Sequence, residues 1–121
     1  MKVLADTSVW IEHLRRRDAR LAAALDDDAV VMHPFVVGEL ACGNLRNRDE
    51  LLDLLGRLPV SPRAGDAEAL AYITRWSLMG RGIGYVDVHL LASASLSGEA
   101  RLWTRDRRLA AVAGELNLAY P

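Results

Sequence analysis

The chain predicts an α/β fold, a layered sandwich around a mainly parallel sheet, and three features of its sequence say so. Short apolar, β-branched runs alternate with longer stretches whose apolar residues recur at helical spacing. Short polar or glycine-containing turns join them, and acidic residues recur where the strand-like runs give way to helices. Such alternation lays helices over parallel strands, and ligand sites of these sheets lie at the carboxyl ends of the strands.

Lys2 to Ala5 is the first strand and closes on Asp6-Thr7-Ser8. Val9, Trp10, Ile11 and Leu14 then follow helical spacing, a pattern continuing through Leu21, Ala22 and Leu25 to the acidic turn Asp26-Asp27-Asp28. Ala29 to Met32 is a second strand, and Pro34 after His33 suits the first turn of a helix, where no N–H is required. That helix carries Phe35, Val36, Val37, Leu40 and Ala41, holds Glu39 in an otherwise apolar segment, and ends near Gly43-Asn44. A further helix carries Leu51, Leu52, Leu54 and Leu55 up to Gly56. Leu58 to Val60 is a third short strand, set at an edge because Pro59 lacks a donor.

Ala67 to Met79 is helical through Leu70, Ile73 and Trp76, and Gly80-Arg81-Gly82-Ile83-Gly84 is a loop. Val86 to Leu96 is a helix with Asp87 in its first turn and Gly98 at its end. Leu102 to Thr104 is a fourth strand leading to Arg105-Asp106; Leu109, Ala110, Val112 and Leu116 lie on the last helix, and Leu118 to Tyr120 is a closing strand. No repeat or linker interrupts the chain, so residues 1–121 read as a single domain with one site.

The 51% hydrophobic and 26% charged shares are those of an ordinary globular protein. No run approaches the roughly 18 apolar residues of a membrane span. Lys2 and Asp6 bring charge where a signal peptide needs an apolar core, so a cytoplasmic protein is expected. Cys42 has no partner for a disulfide and, set among Leu40, Ala41 and Gly43, is expected to be a buried structural thiol. A net charge of -1 gives no global attraction to nucleic acid. The cations are fourteen arginines beside the single Lys2; arginine suits bidentate phosphate contacts, although this usage equally reflects genome composition.

Four acids stand out by position. Asp6 and Asp106 fall just past strands one and four, while Glu39 and Asp87 lie in helices beginning near the same sheet edge. Hard carboxylate oxygens suit magnesium or manganese, and a bound cation offsets the repulsion that would otherwise drive some carboxylates to take up protons. A metal so held assists hydrolysis of a phosphodiester. The chain has neither a candidate nucleophilic triad nor a glycine-rich Walker loop, which leaves this chemistry ahead.

Each acid also has a plainer role. Asp6 and Asp87 suit helix N-caps and Asp106 a turn, while Glu39, between apolar neighbours, is costly to desolvate and so favours function or pairing. Ser8 and Thr104 either support the acids or satisfy turns. Glu12 and Asp18 read as surface residues, His33 as a cap before Pro34, and His89 as facing away from Asp87. Trp10, Trp76 and Trp103 read as core or interface residues. Arg15-Arg16-Arg17 reads as a solvated run, whereas Arg105, Arg107 and Arg108 bracket Asp106 and are placed to steer a phosphate backbone. A non-catalytic RNA- or protein-binding module is the second reading; a receiver-like phosphoacceptor domain needs a lysine after its last strand, and Lys2 is at the wrong end.

Asp6-Thr7-Ser8-Val9-Trp10, Val37-Gly38-Glu39-Leu40, the stretch from Gly82 to Ala92 containing Asp87, and Leu102-Trp103-Thr104-Arg105-Asp106 together resemble the four motifs of the PIN-domain family, most closely its VapC-type toxins. The match runs from Val3 to Leu109 in order and spacing. One departure is His33, where relatives often carry Ser or Thr before the proline. The resemblance implies a three-layer sandwich with a parallel sheet of about five strands, and Mg2+ (or Mn2+) at Asp6, Glu39, Asp87 and Asp106. It further implies endoribonuclease cleavage of RNA that inhibits translation, a homodimer, and a cognate VapB-like antitoxin whose C-terminal segment lies over the helices near the site and blocks it.

Overall fold

Strand β1 (Lys2–Ala5) has neighbours on both sides, which is why Val3, Leu4 and Ala5 are all completely buried. In the computed structural model, which describes residues 1–121, β1 pairs in parallel with β2 (Val30–Val31) and with β3 (Ala100–Trp103), giving the order β2-β1-β3. Val3 lies opposite Val30, and Ala5 opposite Trp103. The register therefore brings Asp6 and Thr104, the next residue of each chain segment, to the same end of the sheet.

About five strands were expected, and the sheet has three. Of the two outer runs, Val60 makes a single parallel bridge to Met32, and Ala119 one to Leu102. Pro59 accepts at its carbonyl from Met32 N–H at 2.8 Å but has no N–H of its own. The closing segment enters from Asn117, in the left-handed region at φ 59°, and makes its single bridge at Ala119.

Helices α1 (Thr7–Arg15) and α2 (Ala19–Asp26) share one apolar pattern yet are separate. Arg16 is extended, and the Asp18 carboxylate caps a new helix by accepting from Arg20 and Leu21 N–H at 2.9 and 3.0 Å. Helix α3 (Pro34–Ala41) starts with proline at its first position and His33 as its cap; Nδ1 accepts from Phe35 N–H at 3.0 Å, the task a hydroxyl would perform. Cys42, expected to be buried, is exposed at the C-cap of α3, two residues past Leu40 and so turned away from the face that buries Val36 and Leu40.

Helices α4 (Arg48–Gly56) and α5 (Asp66–Arg75) follow. The sequence predicted that α5 would reach Met79; it ends at Arg75, and Ser77 turns left-handed at φ 53°. Trp76, just beyond it, is 44% exposed, while Trp10 is in the core. Helix α6 (Tyr85–Ser97) buries every residue from Val88 to Ala94 because it packs between α5 and β3, and a helix covered on all sides loses its polar face. Helix α7 (Arg107–Glu115) completes the cover through Leu109, Val112 and Ala113. No helix is long and apolar enough to cross a membrane.

Leu4 sits in the central strand within a cluster of 23 buried apolar residues. Leu4→Ala leaves a cavity there and is expected to cost about 3 kcal/mol in denaturant titration, with an unchanged m-value.

Candidate functional site

Asp6 follows β1 directly and is only 6% exposed. Its backbone N–H continues the sheet to the Trp103 carbonyl at 2.9 Å, so the carboxylate projects at the strand end. Oδ1 accepts from the Ser8 hydroxyl and from Val9 N–H at 3.3 Å, capping α1; Oδ2 accepts from the Thr104 hydroxyl. Both hydroxyls are themselves anchored: Ser8 Oγ accepts from Arg105 N–H and Thr104 Oγ1 from Asp106 N–H, each at 3.0 Å. Burying a carboxylate is costly without donors, and here both oxygens have them.

The other three acids are placed by helix starts. Asp106 caps α7 through Oδ1, which accepts from Arg108 and Leu109 N–H at 2.9 and 3.1 Å. Asp87 reaches back from the third position of α6, so that Oδ2 accepts from Gly84 N–H at 2.9 Å. Glu39 accepts at Oε1 from the Thr7 hydroxyl at 2.5 Å. In each of these three carboxylates one oxygen is held by the protein and the other has no protein donor. Glu39 is exposed, so the desolvation argued from its apolar neighbours does not occur: Val37 and Leu40 face inward on α3 while the carboxylate faces out. Thr7 was missed by sequence reasoning, since its contact lies 32 residues away in the chain.

The four acids share one electrostatic neighbourhood. Burial raises the Asp87 carboxyl above the ordinary carboxylate range, Gly84 N–H opposes this, and the charges of Asp6, Asp106 and Glu39 all push it further up. No arginine or lysine neutralises any of them; the ion pairs are Arg57–Asp53 and Arg81–Glu115. The carboxylates stand apart, and the convergence expected of the four acids is not reached: no three of them are grouped closely enough to hold a metal ion. Carboxylate oxygens with unbalanced negative charge and free lone pairs are the donor type a hard divalent cation takes, although their spacing here does not bring three of them onto one ion.

His33, wholly buried, is lowered to about 4 by burial first, then by His89 and Arg63, and stays neutral as a cap acceptor. His89 is also buried and contributes no exposed acid or base. Arg105, Arg107 and Arg108 are exposed around Asp106. From Glu39 a groove of about 650 Å³ runs between α1 and the segment after α3, lined by Ile11, Leu14, Leu45 and Leu51 with Arg15 and Arg46.

A carboxyl raised in the folded state binds protons there that it releases on unfolding, so its contribution to stability worsens as pH rises through the carboxylate range. Asp87→Asn, which keeps an acceptor for Gly84 N–H, is expected to raise Tm by a few degrees at pH 7 in chelator. The gain should vanish below pH 4, as followed by thermal melts across pH.

A family model described as "PIN domain" matches residues 3–115. The chain is 51% identical over 117 residues to Ribonuclease VapC32 of Mycobacterium tuberculosis, from strains CDC 1551 / Oshkosh and H37Rv alike, covering 97% of this chain and 94% of the relative. Among solved structures, PAE2754 from Pyrobaculum aerophilum is similar over 93% of this chain and 79% of its own, with a TM-score of 0.61 and 18% identity, a likeness of fold. The motif order, the parallel sheet with acids at one end, and a family match over nearly the whole length agree: the chain belongs to the PIN-domain family, among its VapC-type members.

Proposed function

We propose that the chain is the ribonuclease toxin of a toxin–antitoxin pair, an endonuclease that hydrolyses RNA phosphodiesters with magnesium or manganese held by Asp6, Glu39, Asp87 and Asp106. The observation that carries this reading is the shared negative field of the four acids without a neutralising cation, in a chain half-identical to a named ribonuclease. When bound, the ion supplies water activation and charge neutralisation at the phosphodiester. Asp6 is the fixed point, because Ser8 and Thr104 lock both of its oxygens. Asp87, Asp106 and Glu39 each keep one oxygen without a protein donor, and a bound cation would offset the repulsion that raises the Asp87 carboxyl. Arg105, Arg107 and Arg108 draw the RNA backbone toward the acids.

A VapB-like antitoxin completes the reading. The groove beside Glu39 has an apolar floor and leaves Ile11 and Leu14 about two-fifths exposed, which suits the apolar face of a partner segment ending near the acids. Leu70, Trp76, Met79 and Leu96 are exposed outside that groove, on and after α5 and on α6, and support a homodimer. The protein works as one domain, in the cytoplasm, where RNA and antitoxin meet it.

Asp6→Asn is expected to lower RNA cleavage in magnesium at least a hundredfold while far-UV circular dichroism stays that of the parent; full cleavage by the folded variant would overturn the assignment. Leu14→Arg, a change at the exposed rim of the groove, is expected to prevent co-purification with a co-expressed VapB-like antitoxin while leaving RNA cleavage in place.

A further inference from the structure

RNA binding next to four uncompensated carboxylates needs a surface that offsets their repulsion of phosphate. An aromatic one lies at the starts of the two helices that carry Glu39 and Asp87. Phe35 precedes Glu39 by one helical turn on α3, and Tyr85 opens α6 within the turn that holds Asp87, on the face it shares with His89. These rings, from different helices, meet on a third. His89, 2% exposed, lies edge-on to Tyr85, with centroids 4.6 Å apart and planes at 89°, and to Phe35 at 4.8 Å and 67°. His33 backs Phe35 at 5.0 Å.

The two imidazoles are buried and the outer rings are not. Tyr85 is 44% exposed and Phe35 is half-buried, so each is fixed from behind while part of its surface is left to solvent. The exposed Arg63 guanidinium lies 5.8 Å from the Phe35 ring centroid, putting a positive charge beside the aromatic surface. A pre-set aromatic ledge with an adjoining guanidinium is the chemistry that holds an unpaired nucleotide, the base on the ring and the phosphate on the cation.

We infer that Tyr85 and Phe35, with Arg63, form a base-stacking subsite that binds a single-stranded nucleotide flanking the cut. The inference rests on the ribonuclease reading above and adds to it the residues that hold one base of the substrate. Stacking tolerates sequence, because every base presents a π-face, so this subsite selects single strands over duplex. Arg63 adds one phosphate contact and with it a salt dependence. Tyr85, Phe35 and Arg63 position the substrate and do not act on the reacting bond.

The test uses the full chain and an oligoribonucleotide of about ten nucleotides with 2-aminopurine at successive positions, a base whose fluorescence is quenched by stacking. In the Asp6→Asn background one position is expected to be quenched on binding. Tyr85→Ala should abolish that quench and weaken binding roughly five- to hundredfold, whereas Tyr85→Phe should retain both. In the cleaving protein Tyr85→Ala should raise KM by a similar factor with a much smaller change in kcat, and Arg63→Ala should reduce the salt dependence of binding by about one phosphate contact. Because Tyr85 is half exposed, thermal melts should match the parent. Unchanged quench and KM in Tyr85→Ala would overturn the subsite, and so would an effect confined to antitoxin binding, which would assign the ledge to a protein contact. Failure of the ribonuclease reading would appear separately, as full cleavage by Asp6→Asn.

Discussion

Asp6 is a carboxylate buried at the end of two parallel strands, and such a charge is tolerated only where donors meet both of its oxygens. Ser8 and Val9 supply them from the next turn of chain, but Thr104 comes from 98 residues away. The cluster is therefore complete only when β3 has paired with β1 in the register that sets Ala5 beside Trp103. Fold and site share one requirement, since shifting either strand by a single residue would turn Thr104 away and leave Asp6 short of a donor.

The other acids show that the ordinary and the functional roles of a residue need not compete. Asp87 and Asp106 take part in helix starts, where the N-terminal N–H groups and the positive end of the helix dipole both favour a carboxylate. Each spends one oxygen on that task and keeps the other. Helix termini thus do for these two what hydroxyls do for Asp6 and what Thr7 does for Glu39: they fix a charged group in a repulsive neighbourhood without neutralising it, as a cation site requires.

Helix α6 links this edge to the rest of the molecule. Its interior is buried from Val88 to Ala94, so it cannot shift without opening the core, while its first turn presents Tyr85 and Asp87 at the rim. The preceding loop is held too. Arg81 makes a two-point contact with Glu115 at 2.8 and 2.9 Å, and the Arg108 side chain lies so close over Gly82, at φ 80°, that a Cβ would meet it at 2.7 Å. Glycine is favoured there by the backbone sign, since the exposed Arg108 side chain is free to give way to a Cβ.

Local pattern was enough to read β1, the start of α3 at Pro34, the end of α6 at Gly98 and the order of the four acids, because capping, proline geometry and periodicity act over a few residues. It did not separate α1 from α2, since the apolar spacing carries across Arg16 to Asp18 and only the Asp18 cap marks the break. Nor did it disclose that Glu39 and Cys42 face solvent, because an apolar neighbourhood in sequence says nothing of which side of a helix a residue occupies. The sequence by itself determined which residues carry charge at the strand ends and helix starts, and its motifs pointed to the family. Tertiary structure alone decided that Thr104 reaches Asp6, that Thr7 reaches Glu39, and that Phe35 and Tyr85 meet on His89, because those contacts depend on register and helix packing between segments far apart in the chain.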